Sequence, residues 1–125
     1  MTDTEHEFRS RCSIARSLEL LGDRWTLLVV RDLMWHGKHT FNELQNSEEH
    51  MPTNQLSQRL RRLMDWGLVS RRAYQDRPVR YRYELTRKGR ELEPLLLQFM
   101  RWGYDNLGGG FYDPVHKKSL PAKQC

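Results

Sequence analysis

MPTNQLSQRLRRLMDWGLVSRRAYQDRPVRYRYELT, Met51 to Thr86, decides the fold: it reads as a capped basic helix followed at once by a basic β-hairpin. Leu56, Leu60, Leu63 and Met64 recur at i, i+4, i+7 and i+8, which sets one apolar stripe against a core. The other face carries Asn54, Gln55, Ser57, Gln58 and Arg61, whose donors and acceptors suit base edges in a DNA major groove. Arg59 and Arg62 are placed for flanking phosphates. Pro52 cannot continue a helix backwards, and the Thr53 hydroxyl is available to cap the first amides or to meet a phosphate. Gly67 ends the helix.

Leu68 to Tyr74 and Arg80 to Leu85 supply β-branched and aromatic residues for two short strands, with Gln75, Asp76, Arg77, Pro78 and Val79 as the turn. Alternation through Arg80, Tyr81, Arg82, Tyr83, Glu84 and Leu85 turns one set toward a neighbour and the other toward water. A hairpin in this position is a wing. Arg77 at its tip is placed for a minor groove or a phosphate, and Arg80 for the backbone beside it.

Charge follows the same boundaries. Thr53 to Arg90 holds eleven Lys/Arg against three acids, a local net of +8. The whole chain, with 21 basic and 16 acidic residues, is only +5, so the remainder is −3. A positive field confined to the helix and hairpin is the electrostatic footprint of a nucleic-acid binder rather than of a uniformly solvated surface.

Outward from this stretch, Thr2 to Arg11 is polar and reads as a loose arm. Ser13 to Leu21 puts Ile14, Leu18 and Leu21 on one face of a first helix closed by Gly22. Asp23 caps a second helix from Arg24 to about Trp35, whose Trp25, Leu28, Val29 and Leu33 are expected to form the central core; Gly37 breaks it. Lys38 to Thr40 is expected to add a short strand to the wing sheet. Thr40 with Glu43 three residues on is a capping-box pattern opening a helix over Phe41 to about Asn46, with Thr40 also placed for a DNA phosphate. Ser47 to Pro52 is then the turn of a helix-turn-helix.

The last long element runs from Thr86 to about Leu107, with Leu95, Leu96, Phe99 and Trp102 at helical spacing, and Pro94 bends or divides it near Glu93. The first four helices already supply a core, so this apolar face is expected to pair with a second copy, folding back onto its own domain being the alternative. Beyond it, three glycines open a flexible tail. The chain thus divides into an arm (1–11), a winged helix-turn-helix DNA-binding domain (12–90), a dimerisation helix (86–107) and a tail (108–125). Its class is α+β, mainly α.

Four blocks, LGDRWTLLVVRDL (Leu21 to Leu33), FNELQ (Phe41 to Gln45), NQLSQRLRRLMDWGLVSRR (Asn54 to Arg72) and VRYRYELTRKG (Val79 to Gly89), occur in an order and spacing that resembles the HxlR-type transcriptional regulators. These are a bacterial branch of winged helix-turn-helix proteins similar to MarR regulators, and the likeness covers about Cys12 to Gly103. It implies a homodimer on an inverted-repeat DNA operator upstream of detoxification or stress genes. Cys12 resembles a cysteine with which several members of the family sense oxidants, quinones or aldehydes, although Ser13 follows it where Pro is commoner. From the residues alone, Cys12 begins a helix and has Arg9, Arg11 and Arg16 close in sequence, which favours a thiolate. Inert packing at a dimer interface is the other reading.

A chain of 125 residues with 38% apolar residues buries one core comfortably but not two. The longest apolar runs, near Leu27 to Val30 and Leu95 to Leu97, are far short of a membrane span, so a cytoplasmic protein is expected. Cys12 and Cys125 lie at opposite ends and make poor material for a disulfide framework. His36 and His39 lack a third ligand at metal spacing, and no phosphate loop, nucleophile elbow or carboxylate pair is present. The reading therefore assigns no metal, no cofactor and no enzymatic activity. Two classes stay open: a dimeric DNA-binding regulator, switched at Cys12 or by a small-molecule inducer with Cys12 inert, and a winged-helix module for protein or RNA. The polar helix face favours the first.

Overall fold

The computed structural model describes residues 6–122, which form α1 (Ser13–Leu21), α2 (Thr26–Trp35), α3 (Phe41–Gln45), α4 (Thr53–Asp65), β1 (Val69–Asp76), β2 (Val79–Leu85), α5 (Arg87–Arg90), α6 (Glu93–Leu107), β3 (Phe111–Asp113) and β4 (Lys118–Leu120). One compact unit ends at Arg90 and a second begins at Glu91. No helix among the described residues is long and apolar enough to cross a membrane.

In the first unit, α2 supplies Val29, Val30 and Leu33 and α4 supplies Leu56, Leu60 and Leu63, all buried, with Leu44 from α3 and Tyr83 and Leu85 from β2. Each such side chain contributes about 1.5–3 kcal/mol by leaving water. Trp25 and Leu28 are only half-buried, so two of the four expected central residues of α2 stand at the edge. α2 starts at Thr26 rather than Arg24 because the Asp23 carboxylate accepts the Trp25 and Thr26 amides at 3.0 Å each, which makes residues 24–25 a capping turn.

Thr40 caps α3 as its spacing predicts: its hydroxyl accepts from the Glu43 amide, and the Glu43 carboxylate accepts from the Thr40 amide at 3.0 Å. Thr53 does not cap α4. Pro52 holds that position, and Thr53, already helical, accepts through its hydroxyl from the Gln45 amide group. At the other end Gly67, at φ +80°, closes the helix: its N–H donates to the Met64 carbonyl at 3.0 Å and that of Leu68 to the Leu63 carbonyl at 2.8 Å.

β1 and β2 pair antiparallel from Val69 opposite Leu85 to Asp76 opposite Val79, with a bulge between Ala73 and Gln75. The strands run further than expected, leaving only Arg77 and Pro78 as the loop. Lys38 to Thr40 is not a strand. The His39 carbonyl accepts from the Tyr83 amide at 2.7 Å, but Thr40 is then committed to the cap of α3, so no ladder develops. A helix pair joined by a turn and followed by this hairpin is a winged helix-turn-helix.

The expected long helix is divided, α5 ending at Arg90 and α6 opening with Pro94 in its first turn, where the missing N–H costs nothing. Residues 111–120, expected to be flexible tail, form a hairpin on α6. The Phe111 ring meets Tyr104 edge-on at 5.5 Å, Arg101 lies 5.2 Å over Phe111, and the Tyr112 N–H points at the Met100 sulfur at 3.1 Å. Phe111, immediately after the glycines, covers one side of α6, and that overcomes the low propensity of the segment.

Candidate nucleic-acid interface

With Leu56, Leu60 and Leu63 buried, helical spacing leaves Asn54, Ser57, Gln58 and Arg61 exposed on α4. Gln55 and Arg59 are placed differently. Arg59 folds inward to the Asp23 carboxylate, Nε to Oδ2 at 2.8 Å, and donates to the Gln55 Oε1 at 2.9 Å. Arg59 is therefore a strut between the start of α2 and α4 rather than a free cation, and it holds Gln55 beside it. Arg62 is half-buried.

A polar cluster that sequence reading missed ties the turn of the helix-turn-helix to α2. Arg31 on α2 donates from both terminal nitrogens to the two Glu49 oxygens at 2.9 Å, and from Nε to Asp32 Oδ1 at 3.0 Å. Asp32 is buried and receives the Ser47 hydroxyl, which itself accepts from Lys38 Nζ at 3.2 Å. Ser47 and Glu49 lie in the turn between α3 and α4, so this network pins the turn to α2. Burying Asp32 demands such partners, because an isolated carboxylate in the core is prohibitively costly. The only hint in the sequence was an acid, Asp32, among apolar positions of α2.

The wing departs from the core beyond Val69: every later residue of β1 is exposed, whereas Tyr83 and Leu85 of β2 are buried. Arg77 and Arg80 are exposed at and beside the tip. Thr40 and Asn42 line a groove beside the wing with Tyr74, Arg80 and Tyr81. The two hydrophilic faces, α4 and wing, thus belong to one unit, and Arg61, Arg62, Arg71, Arg72, Arg77, Arg80 and Arg82 place seven of the eleven local cations on them.

Cys12 is exposed at the N-cap of α1. The amides of Ala15 and then Ile14 hold its thiol pKa below the ordinary value. Two of the neighbouring arginines are engaged elsewhere: Arg16 donates to the Ser10 carbonyl at 2.7 Å and stacks 4.6 Å over Phe8, while Arg9 meets Glu19. Nor are residues 6–11 loose. His6 and Phe8 pack edge-on against Trp66, with ring centroids 5.1 and 5.9 Å away, and His6 Nε2 lies 3.0 Å from Glu19 Oε1. Residues 1–5 of the arm and Cys125 lie outside the described residues.

In the second unit Leu95, Phe99 and Trp102 form an exposed stripe, Phe99 at 57% and Trp102 at 60%. Leu96, grouped with them by spacing, is 7% exposed and drops out of that stripe, since it lies about 100° around the helix from Leu95. The β3–β4 hairpin lies against Met100, Arg101 and Tyr104, on the side of α6 away from the stripe. In the first unit α1 exposes Ile14 and Leu18 at 73% and 50%. Among the described residues no group of three or more His, Cys, Asp or Glu is disposed to hold a metal.

Residues 20–109 match the HxlR-like helix-turn-helix family. The uncharacterized HTH-type transcriptional regulator Rv3095 of Mycobacterium tuberculosis is 38% identical over 107 residues, covering 86% of this chain; the chain spans 66% of that relative's length. Among solved structures, the redox regulator HypR in its oxidized form superposes with a TM-score of 0.68 at 33% identity, over 76% of this chain and 97% of that one. The reduced form of the transcriptional regulator YodB from B. subtilis gives 0.63 at 28%, over 78% and 95%. Residues 110–122, with their hairpin, lie beyond the family match.

Proposed function

The chain belongs to the HxlR-like helix-turn-helix family of transcriptional regulators, and on that premise we propose that it is a homodimer that reads an inverted-repeat operator with α4 and is switched at Cys12. The observation that carries the reading is the division of α4 into a buried leucine face and an exposed face of Asn54, Ser57, Gln58 and Arg61, with the exposed arginines of the wing beside it. Amide and guanidinium groups at those positions offer paired donors and acceptors to base edges, while Thr40, Arg62, Arg77 and Arg80 meet phosphates or the minor groove. Arg59 acts in this scheme through Gln55 and Asp23, not through DNA.

The switch rests on an exposed thiol with a lowered pKa and on the likeness to a redox regulator. The Cys12 thiolate attacks a peroxide oxygen, the O–O bond breaks, hydroxide leaves, and sulfur is oxidised to the sulfenic acid. A second thiol attacks that sulfenic sulfur, forming a disulfide as water leaves, whereas an electrophilic quinone takes the unoxidised thiolate at a ring carbon and is protonated to the hydroquinone adduct. The genes controlled belong, in this proposal, to detoxification or stress metabolism.

The test is a salt-dependent shift assay on the DNA upstream of the chain's own gene against a scrambled duplex. Gln58→Ala or Arg61→Ala should each reduce the preference for the specific site by roughly 1–3 kcal/mol while leaving scrambled-DNA affinity nearly intact. An unchanged affinity ratio in both variants removes α4 as the reader.

A further inference from the structure

Between α4 and β1 runs a cleft lined by Ser57, Arg61 and Asp65 from the helix, Arg71 and Tyr83 from the wing, and Phe41 from α3. Two guanidinium groups against one carboxylate leave it net positive. Arg71 is not a loose surface arginine. Its Cζ lies 3.9 Å over the ring of Tyr81, which stands diagonal to it on the same sheet face, since Arg71 pairs with Tyr83 and Ala73 with Tyr81. Stacking fixes the plane of the guanidinium but leaves its edge, with the N–H donors, free to point away from the ring.

We infer that Arg71 is a DNA-phosphate contact, held ready by Tyr81, and that the cleft is the seat of the backbone strand separating the two grooves that the protein enters. This inference rests on the DNA-binding reading above and adds to it a contact that neither the helix face nor the wing tip supplies. The physical reason is geometric. If α4 lies in a major groove and the tip at Arg77 in the adjacent minor groove, the sugar-phosphate strand between those grooves crosses the space between α4 and β1. That space is this cleft. A planar, pre-oriented guanidinium on its wall donates two parallel N–H bonds to one phosphate without first losing rotamer freedom. Tyr81 touches no DNA in this scheme; it is a positioning residue.

The experiment measures binding of a short random-sequence duplex by fluorescence anisotropy over a range of salt concentrations, for wild type, Arg71→Ala, Arg71→Lys, Tyr81→Phe, Tyr81→Leu and, as the wing-tip reference, Arg77→Ala. Arg71→Ala should lower the magnitude of the log K against log salt slope by about 0.9, the release due to one phosphate contact. Arg71→Lys should keep the slope and lose affinity several-fold, because the charge remains but the fork and the stack are weakened. Tyr81→Leu should likewise keep the slope and lose affinity several-fold, and Tyr81→Phe should restore wild-type binding, a rescue that a merely structural tyrosine hydroxyl would not give. Circular dichroism and the unfolding midpoint identify any variant that has simply lost its fold; for such a variant at position 71, Arg71→Lys and Arg71→Gln provide the slope comparison. A slope unchanged in Arg71→Ala while Arg77→Ala lowers it overturns the inference and leaves the DNA-binding reading standing. Unchanged affinity in Tyr81→Leu overturns the role of Tyr81. A wild type without salt-dependent duplex binding defeats both readings together.

Discussion

Gly89 occupies a place where no side chain fits. A Cβ there would lie 2.2 Å from the Leu68 carbonyl oxygen and 3.0 Å from Leu85 Cδ2, so α5 can approach the start of β1 only through a bare backbone. Gly89→Ala should destabilise the fold by about 1–3 kcal/mol, the usual cost of overpacking where the neighbour is backbone that cannot swing aside. Urea unfolding checks it, and a variant as stable as wild type would show that α5 slides freely. Cys12 poses the opposite case, an exposed group for which the proposal is chemical rather than structural. After peroxide or quinone, wild type and Cys125→Ser should lose operator binding and Cys12→Ser should retain it. Equal loss in wild type and Cys12→Ser, or loss in neither, would leave Cys12 inert and turn the search toward a ligand that binds elsewhere.

At the scale of elements, the turn between α3 and α4 depends on charge pairing more than on its own sequence. The two parallel hydrogen bonds from Arg31 hold the Glu49 carboxyl below the usual carboxylate range. A depressed folded-state pKa stabilises the protein fully above the unfolded value, about 4.3, and that stabilisation is lost as pH falls through the lower, folded value. The stability difference between wild type and Glu49→Gln, from urea melts, should therefore be constant from neutral pH down to about 5 and shrink below about 4. A difference that grows on acidification would contradict the assignment. α3, only five residues long, relies on a different device, the reciprocal Thr40 and Glu43 bonds, which compensate for a helix too short to stand on propensity.

For the whole molecule, apolar surface on α1 and α6 remains uncovered within each unit, and the proposed dimer is what removes it from water. Phe99→Asp should give chains that sediment as monomers and bind operator DNA weakly, because each half-site then holds its reader without a partner. The operator itself should be an inverted repeat whose half-site centres lie about one helical turn apart, roughly 34–36 Å, or a multiple of it. Wild type already monomeric at micromolar concentration would end the dimer proposal. The β3–β4 hairpin leaves the stripe of Leu95, Phe99 and Trp102 uncovered, since it packs on the opposite side of α6.

Local rules carry the sequence a long way here, because its strongest signals are local ones. The leucine stripe of α4, the Gly67 stop, the Thr40 capping box, the division at Pro94 and the order of helix and hairpin all depend on residues within a few positions of one another, and spacing alone exposes them. The exposed polar face of α4, which we propose reads bases, was legible as an exposed face for the same reason: once the buried stripe is known, helical geometry assigns the rest. What only the tertiary structure decided involves partners distant in the chain. Asp23 takes Arg59 from the free surface 36 positions away; Glu49 and Ser47 find Arg31 and Asp32; Trp66 collects His6 and Phe8; Phe111 finds Tyr104 and turns an expected tail into a hairpin. A charged or aromatic side chain has no periodicity to betray its partner, and its fate depends on which remote group the folded backbone brings within bonding distance.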